Sequence, residues 1–96
     1  MIKVEQRKMS TRADVFKALG HPARLAMVLA LRDGARCVCE LQEIVGTDMS
    51  TVSKHLTVLR SAGIVEHDKR GKQMYYSLRA KCVPGFVECV DKTLAS

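Results

Sequence analysis

Between residues 47 and 63 the apolar residues recur with the period of an α-helix. They lie four and three residues apart and therefore share one side of the helix: Val52, Leu56 and Leu59. Asp48 or Thr47 can cap its start, and Gly63 can adopt the left-handed conformation that ends it. The opposite side carries hydroxyl and cationic groups: Ser50, Thr51, Ser53, Lys54, Thr57 and Arg60. Alone, this could be an ordinary surface helix, but such a side also suits the phosphates and base edges of a DNA major groove.

Three more helices are predicted before this one, after a flexible basic arm at residues 1–9. The first ends at a break between Gly20 and Pro22, because proline suits the first turn of the next helix. The third is predicted over residues 40–45 and meets the basic helix at a turn that contains Gly46. Two helices joined by a glycine-containing turn, the second with a polar basic side, are typical of a helix-turn-helix.

After Gly63 the hydrophobic period changes from that of a helix to that of a strand. The alternation predicts strands over residues 64–68 and 73–78. The turn between them carries three cationic side chains: Lys69, Arg70 and Lys72. A plain hairpin needs no such cluster, whereas a wing that contacts the backbone or minor groove of DNA does.

The last stretch, residues 82–96, is predicted to be a dimerisation helix. Its apolar face is wide enough to suggest a partner helix from a second subunit: Val83, Phe86, Val87, Val90 and Leu94. The first helix would add to this interface through Val15, Phe16 and Leu19. The sequence therefore predicts one domain over residues 1–96, mainly α with a small β-hairpin. This is a winged helix-turn-helix that dimerises through its terminal helices.

Composition and charge agree with a nucleic-acid partner. A formal net charge of +6 and a pI of about 9.4 suit a polyanion, and a symmetric dimer predicts a palindromic operator in double-stranded DNA. The sequence has no apolar run of 18 residues and its first residues do not resemble a signal peptide, so we expect a cytoplasmic protein with no membrane partner. No phosphate-binding glycine loop or Ser/His/Asp arrangement is apparent, so we do not expect an enzyme.

Cys37 and Cys39 are the sharpest chemical signal. Residues i and i+2 of an extended segment point the same way, so the two sulfurs could share a thiophilic ion such as As(III), Sb(III), Cd(II) or Zn(II). We expect a disulfide between them to be unfavourable, because its loop would contain a single residue. The alternative is that both thiols are small buried apolar groups.

Several motifs, in order along the chain, resemble the ArsR/SmtB family of dimeric metal-responsive bacterial repressors. They are the segments 16–25 (FKALGHPARL), 37–41 (CVCEL), 50–56 (STVSKHL), 59–65 (LRSAGIV) and 75–78 (YYSL). The resemblance covers residues 11 to 80. It is strongest to the arsenic-sensing members and implies that Cys37 and Cys39 bind As(III) or Sb(III) as an inducer. We expect that no ion is required for folding.

One departure from that family pattern concerns the third ligand. Arsenic-sensing members often carry another cysteine three residues after the second, where this chain has Gln42. A small exogenous thiol, hydroxide, Cys82 or Cys89 could complete the set that As(III) prefers. The latter two lie seven residues apart on one face of a helix and could instead form a second site or simply pack.

Two other functions fit the same fold. The cysteines could react with oxidants or persulfides, which would make the protein a thiol redox sensor. The chain could also bind DNA constitutively, with incidental thiols. The zinc-sensing members of the family that the motifs resemble carry Asp/His and His/Glu ligands on the last helix. Residues 83–96 contain no histidine, and Glu88 and Asp91 do not make that set, so we expect no zinc site there.

Overall fold

The computed structural model describes residues 3–95, which form five helices and three strands. In order they are α1 (Lys3–Leu19), α2 (Pro22–Ala30), β1 (Arg36–Cys37), α3 (Val38–Val45), α4 (Met49–Ser61), β2 (Val65–Arg70), β3 (Gln73–Leu78) and α5 (Val83–Ala95). Within residues 3–95, no helix is both long and apolar enough to cross a bilayer.

The α3–α4 pair forms the predicted helix-turn-helix. Gly46 ends α3 with a φ of 76°, a left-handed conformation that suits glycine, and its N–H donates to the Gln42 carbonyl oxygen at 2.8 Å. Asp48 caps α4 by accepting a hydrogen bond from the Thr51 N–H at 3.1 Å. The apolar stripe of α4 faces inwards, because its three members are fully buried: Val52, Leu56 and Leu59. The outward side of α4 is therefore the polar side that the sequence predicts.

The wing is the hairpin of β2 and β3, and it belongs to a sheet of three strands. Lys69 and Arg70 lie within β2, so the turn is tighter than predicted. β1 pairs with β3 in antiparallel fashion and gives the strand order β1-β3-β2. In this pairing Cys37 lies opposite Tyr75. The cysteine segment is thus directly joined to the wing.

The prediction of a flexible arm is wrong for residues 3–9, which form the first part of α1. Residues 1 and 2 of that predicted arm lie outside the described residues. No glycine or proline interrupts the chain before Gly20, and most of residues 3–9 favour helix. Glu5 in the first turn also complements the helix dipole. Thr11 lies inside this helix, where its hydroxyl donates to the Arg7 carbonyl oxygen at 3.0 Å.

A single hydrophobic core joins the helices to the sheet. Its buried members are Ala18, Leu19, Met27, Val28, Leu31, Leu41, Val52, Leu56, Leu59, Ile64, Val65, Leu78 and Val83. In α2 Met27 is fully buried in the core, whereas Leu29 is 38% exposed. The recognition helix α4 is therefore fixed to the rest of the domain by buried contacts.

The terminal helices leave an apolar face in solvent. Phe16 of α1 and Phe86 of α5 are 58% and 53% exposed, and their rings meet edge to face with centroids 6.0 Å apart. Leu94 is 77% exposed. Leu19 and Val83, which were predicted for the same face, instead belong to the hydrophobic core. The exposed apolar face is therefore narrower than the sequence predicts.

Candidate functional site: a basic surface and a cysteine pair

The outward side of α4 carries most of the predicted DNA-binding residues. Ser50, Ser53, Lys54, Thr57 and Arg60 are exposed, whereas Thr51 is half-buried. The Thr51 hydroxyl donates to an Asp48 carboxylate oxygen at 2.7 Å, and this bond is the main cause of the lowered pKa of Asp48. Thr51 therefore completes the helix cap. The Thr57 hydroxyl donates to the Ser53 carbonyl oxygen at 2.9 Å, and Ser53 and Lys54 project from the helix.

The wing supplies the remaining predicted DNA-binding residues, and it holds one of them in an internal contact. Lys69 and Lys72 are exposed. Arg70 donates to the Asp68 carboxylate at 3.1 Å, and its guanidinium lies 4.8 Å from the centroid of the Tyr75 ring. Asp68 therefore neutralises part of the positive charge at the wing, an effect that the sequence prediction missed. The sequence shows that Asp68 lies two residues from Arg70, but only the strand geometry shows that their side chains form an ion pair.

A histidine joins α4 to the wing. The Arg60 guanidinium lies 3.0 Å from Nε2 of His67, and the His67 ring lies 5.3 Å from the Tyr76 ring. Because arginine can only donate, Nε2 of His67 is the acceptor in this contact. Nδ1 of His67 is buried without a hydrogen-bond partner among the described residues. The exposed side chains of α4 therefore reach the wing at Arg60, which contacts His67 of β2.

We call the exposed side of α4 and the wing together the basic surface. Its members are Ser50, Ser53, Lys54, Thr57, Arg60, Lys69, Arg70 and Lys72. Hydroxyl groups lie on the helix, and cations lie on both the helix and the wing. This distribution is suited to base edges at the helix and to phosphates on either side.

A histidine of α4, His55, packs against the histidine that caps α2. His21 caps α2 by accepting a hydrogen bond from the Ala23 N–H at 3.1 Å, and its ring centroid lies 4.4 Å from that of His55. Arg24 lies 3.5 Å from Nδ1 of His55. Burial is the largest cause of the lowered pKa of His55, and the electrostatic interactions with His21 and Arg24 lower it further. The fold therefore favours the neutral form of this ring.

We expect the protein to lose stability as the pH falls below about 6.5. His55 has its ordinary pKa in the unfolded chain and a lowered one in the fold. The unfolded state therefore takes up the proton first, so the contribution is complete above the unfolded pKa and is lost as the pH falls towards the folded one. Urea denaturation at pH 7.5 and 5.5 measures the loss. A His55→Gln variant should show a smaller difference, and an equal difference would contradict this cause.

The cysteine pair lies where β1 passes into α3. Cys37 is the N-cap of α3, with extended backbone angles and 5% exposure, and Cys39 is exposed in the first turn of the helix. The prediction that the segment is extended through Cys39 is therefore wrong, and so is the prediction that a disulfide is unfavourable; the predicted convergence of the two sulfurs is retained. The chain turns between the two residues, which brings their Cα atoms to 5.4 Å, and the structure joins them by a disulfide. This separation lies within the ordinary range for disulfides, so the short loop is no obstacle.

An ion pair between Arg36 and Glu40 stabilises the junction of β1 and α3. One carboxylate oxygen of Glu40 accepts the Cys37 N–H at 3.2 Å, and the other accepts from the Arg36 guanidinium at 3.1 Å. Arg36 also donates to the Ala30 carbonyl oxygen at 2.7 Å. The junction is therefore held to the end of α2 as well as to α3.

The two other cysteines are free and exposed. Cys82 precedes α5, and Cys89 lies on it. Among residues 3–95, no group of three or more histidine, cysteine, aspartate or glutamate side chains is arranged to hold a metal ion. The structure of one subunit thus does not bring Cys82 or Cys89 to the Cys37–Cys39 pair. Whether they contribute to a site from a second subunit is not tested, so their role stays a prediction.

Comparison with known proteins gives consistent matches. A model of the arsR family of bacterial regulatory proteins matches residues 21–67. The cadmium resistance regulator CadC homolog of Staphylococcus aureus is 42% identical over 78 residues, which are 79% of this chain and 64% of that protein. The arsenic resistance regulator ArsR1 of Pseudomonas putida is 37% identical over 87 residues, 90% of this chain and 67% of that protein. The chain spans 48% to 67% of the length of several such relatives.

The fold matches a solved structure over nearly its whole length. The homodimeric winged helix-turn-helix DNA-binding domain of Mb0332 from Mycobacterium bovis superposes with a TM-score of 0.86 at 26% sequence identity. The match covers 96% of this chain and 88% of that chain. It confirms the fold class that the sequence predicts.

Proposed function

Because this chain belongs to the ArsR family of bacterial regulatory proteins, we propose that it is a transcriptional repressor that binds double-stranded DNA and releases it on binding As(III) or Sb(III). Membership confirms the resemblance found in its motifs. It also confirms that the chain is not an enzyme, since its relatives are transcriptional regulators. The observation that carries the DNA-binding part is the basic surface, where exposed hydroxyls and cations of α4 adjoin the wing.

In this proposal α4 enters the major groove and the wing lies on the flanking backbone or minor groove. Ser53 and Lys54 form no side-chain hydrogen bond or ion pair with any residue of the described range, so they can contact base edges without breaking internal bonds. Lys69 and Lys72 supply mobile positive charge for phosphates. Arg70 acts from a position that Asp68 and Tyr75 already fix.

Two substitutions in the wing should change DNA affinity in opposite directions. Lys72→Ala should weaken binding to every sequence and lower the slope of log affinity against log salt by about one unit, because one phosphate contact is lost. Asp68→Asn should raise affinity, because it removes a negative charge and releases Arg70 from its ion pair. Anisotropy titrations of a labelled duplex at several salt concentrations measure both. Unchanged affinity in a Lys54→Ala/Arg70→Ala protein would contradict the assignment of this surface.

We also propose that the repressor is a homodimer on a palindromic operator, as two half-sites need two recognition helices. The support is the exposed apolar face of α1 and α5, where Phe16 and Phe86 meet. Sedimentation at micromolar concentration should give a dimer for the wild-type protein and a monomer for Phe86→Arg. Ile44→Arg is the matched control, since Ile44 is 46% exposed on another helix. A wild-type monomer would contradict the proposal.

The cysteine pair can supply some, but not all, of the ligands of a thiophilic ion such as As(III). Reduction of the disulfide leaves two thiols that already converge, and Cys39 is open to solvent. Two sulfurs at one place favour soft ions over those that prefer oxygen. In this proposal the pair supplies two of the three ligands of As(III), and a small thiol, hydroxide or a cysteine of the second subunit supplies the third. When bound, the ion closes the two sulfurs around one centre at the start of α3.

The decisive experiment is release of DNA by the reduced protein. A duplex selected from random sequence serves as the operator, and As(III), Sb(III), Cd(II), Zn(II) and a persulfide donor are added in separate titrations. The proposal predicts that As(III) and Sb(III) lower DNA affinity most. It fails if neither acts while the persulfide donor does, or if no addition changes affinity.

A second candidate is a thiol redox or persulfide-sensing repressor of the same fold. The disulfide between Cys37 and Cys39 is the observation that favours it, because it shows that the fold accommodates the oxidised pair. In that case the oxidised and reduced proteins should differ in DNA affinity without any ion present. The same titration, repeated with the oxidised protein, separates the two candidates.

A further inference from the structure

Cys37 is held by three different parts of the fold. Its residue pairs with Tyr75 of β3 in the sheet, its N–H donates to Glu40 of α3, and the preceding Arg36 is tied to the end of α2. Glu40 takes part in two of these contacts, because its second carboxylate oxygen accepts a hydrogen bond from the Arg36 guanidinium. Cys39 lies one residue before Glu40, on the same helical turn.

We propose that Glu40, with Arg36, is a positioning residue that holds the two sulfurs together and so favours every reaction that needs both. For binding of a metalloid this rests on the proposed function. For the exchange of thiols with a disulfide it rests only on the convergence seen in the fold.

The hydrogen bond from the Cys37 N–H to Glu40 explains the convergence. It fixes the residue before α3 in extended conformation while the next two residues are helical, and this sharp change brings the Cα atoms of the pair to 5.4 Å. Without the bond, the start of α3 has an unpaired N–H and can fray. A frayed start separates the sulfurs, because Cys39 belongs to that first turn.

Arg36 gives the carboxylate its orientation and offsets its charge. The guanidinium lies 3.1 Å from one carboxylate oxygen of Glu40 and so holds the other oxygen towards the Cys37 N–H. Glutamine at position 40 would keep the acceptor oxygen for the Cys37 N–H and lose the ion pair, whereas alanine loses both.

The first test is thiol–disulfide exchange with glutathione, which needs no metal. The reduced pair reacts with glutathione disulfide to give the Cys37–Cys39 disulfide and two molecules of glutathione. The S–S bond of glutathione disulfide breaks, and its two sulfurs take the two electrons and two protons that the protein thiols lose. Every protein in this test also carries Cys82→Ser and Cys89→Ser, so that Cys37 and Cys39 are the cysteines that react with glutathione disulfide.

The equilibrium constant for this exchange should fall by roughly 2- to 12-fold in Glu40→Ala, the range for loss of one ordinary hydrogen bond. Glu40→Gln should lie between alanine and wild type. Glu43→Ala is the matched control, because Glu43 is an exposed carboxylate on the same helix, and it should match the wild type. An unchanged constant in Glu40→Ala, or an equal fall in Glu43→Ala, overturns the proposal.

The second test is the affinity of the reduced proteins for arsenite. Glu40→Ala should bind arsenite about 10- to 100-fold more weakly than wild type, as expected for loss of an outer-shell partner. DNA affinity without arsenite should stay unchanged, which a general loss of structure would not allow. If the alanine variant does not fold, Glu40→Gln carries both tests. Failure of the wild type to bind arsenite would refute the proposed function alone, because the glutathione equilibrium still decides the role of Glu40.

Discussion

The Cys37→Ser/Cys39→Ser protein should bind operator DNA like the wild type and should no longer release it when As(III) is added. Serine preserves the size of both side chains but offers no thiolate for a soft ion. In the wild type we expect a coupling of about 1–3 kcal/mol, which lowers DNA affinity roughly 5- to 150-fold. The double variant should lose this whole factor. Anisotropy titrations of the operator with and without As(III) measure it.

The physical reason is the position of the pair relative to α4. The ion must bind DNA-free protein more tightly than the DNA complex, since binding and release are linked. As(III) held by Cys37 and Cys39 would act at the start of α3, which packs on α4. The Cys82→Ser/Cys89→Ser protein is the control. If As(III) still releases DNA from the Cys37→Ser/Cys39→Ser variant, other residues bind the ion. Cys82 and Cys89 are then the cysteines to replace next.

Leu56→Ala should destabilise the fold by about 2–5 kcal/mol, the usual cost of removing a buried leucine side chain. Leu56 is fully buried in the middle of α4, where it belongs to the core. For a domain of this size such a loss is a large part of its stability. Urea denaturation at neutral pH measures it, and DNA affinity should fall in parallel because α4 loses its fixed position.

Val58→Ala is the comparison for that measurement. Val58 lies on the same helix and is 40% exposed, so its truncation should cost much less. Both variants place alanine in α4, so the helix propensity of alanine contributes to the free energy of unfolding of each. A cost in Leu56→Ala no greater than in Val58→Ala would mean that α4 does not depend on the core for its stability.

The parts predicted well from sequence are those with a strong local pattern. The stripe on α4 and the alternation in β2 and β3 have different periods, and glycines mark the boundaries between them, so each element could be assigned by itself. The outward side of α4 follows from the same pattern. The predicted DNA-binding residues are largely exposed for this reason.

The prediction failed where a residue's conformation depends on contacts distant in sequence. The segment around Cys37 has no period of its own, and its two-residue strand exists only because β3 lies beside it. Position in sequence also could not show that Arg70 would lie over Tyr75, or that Arg60 would meet His67, because these pairs are set by strand register and helix packing. The helix over residues 3–9 was not predicted, although most of these residues favour helix.

The pairing of β1 has a consequence for the speed of the response. β1 contributes two residues at the edge of the sheet and is bonded to β3 on one side only. Short edge segments open and close far more often than the whole domain unfolds. Cys39 is already exposed, whereas Cys37 is 5% exposed, so an incoming reagent meets the outer thiol first and must wait for β1 to open before it reaches the inner one. We therefore expect two kinetic phases, of which the slower has a rate set by local opening and independent of reagent concentration.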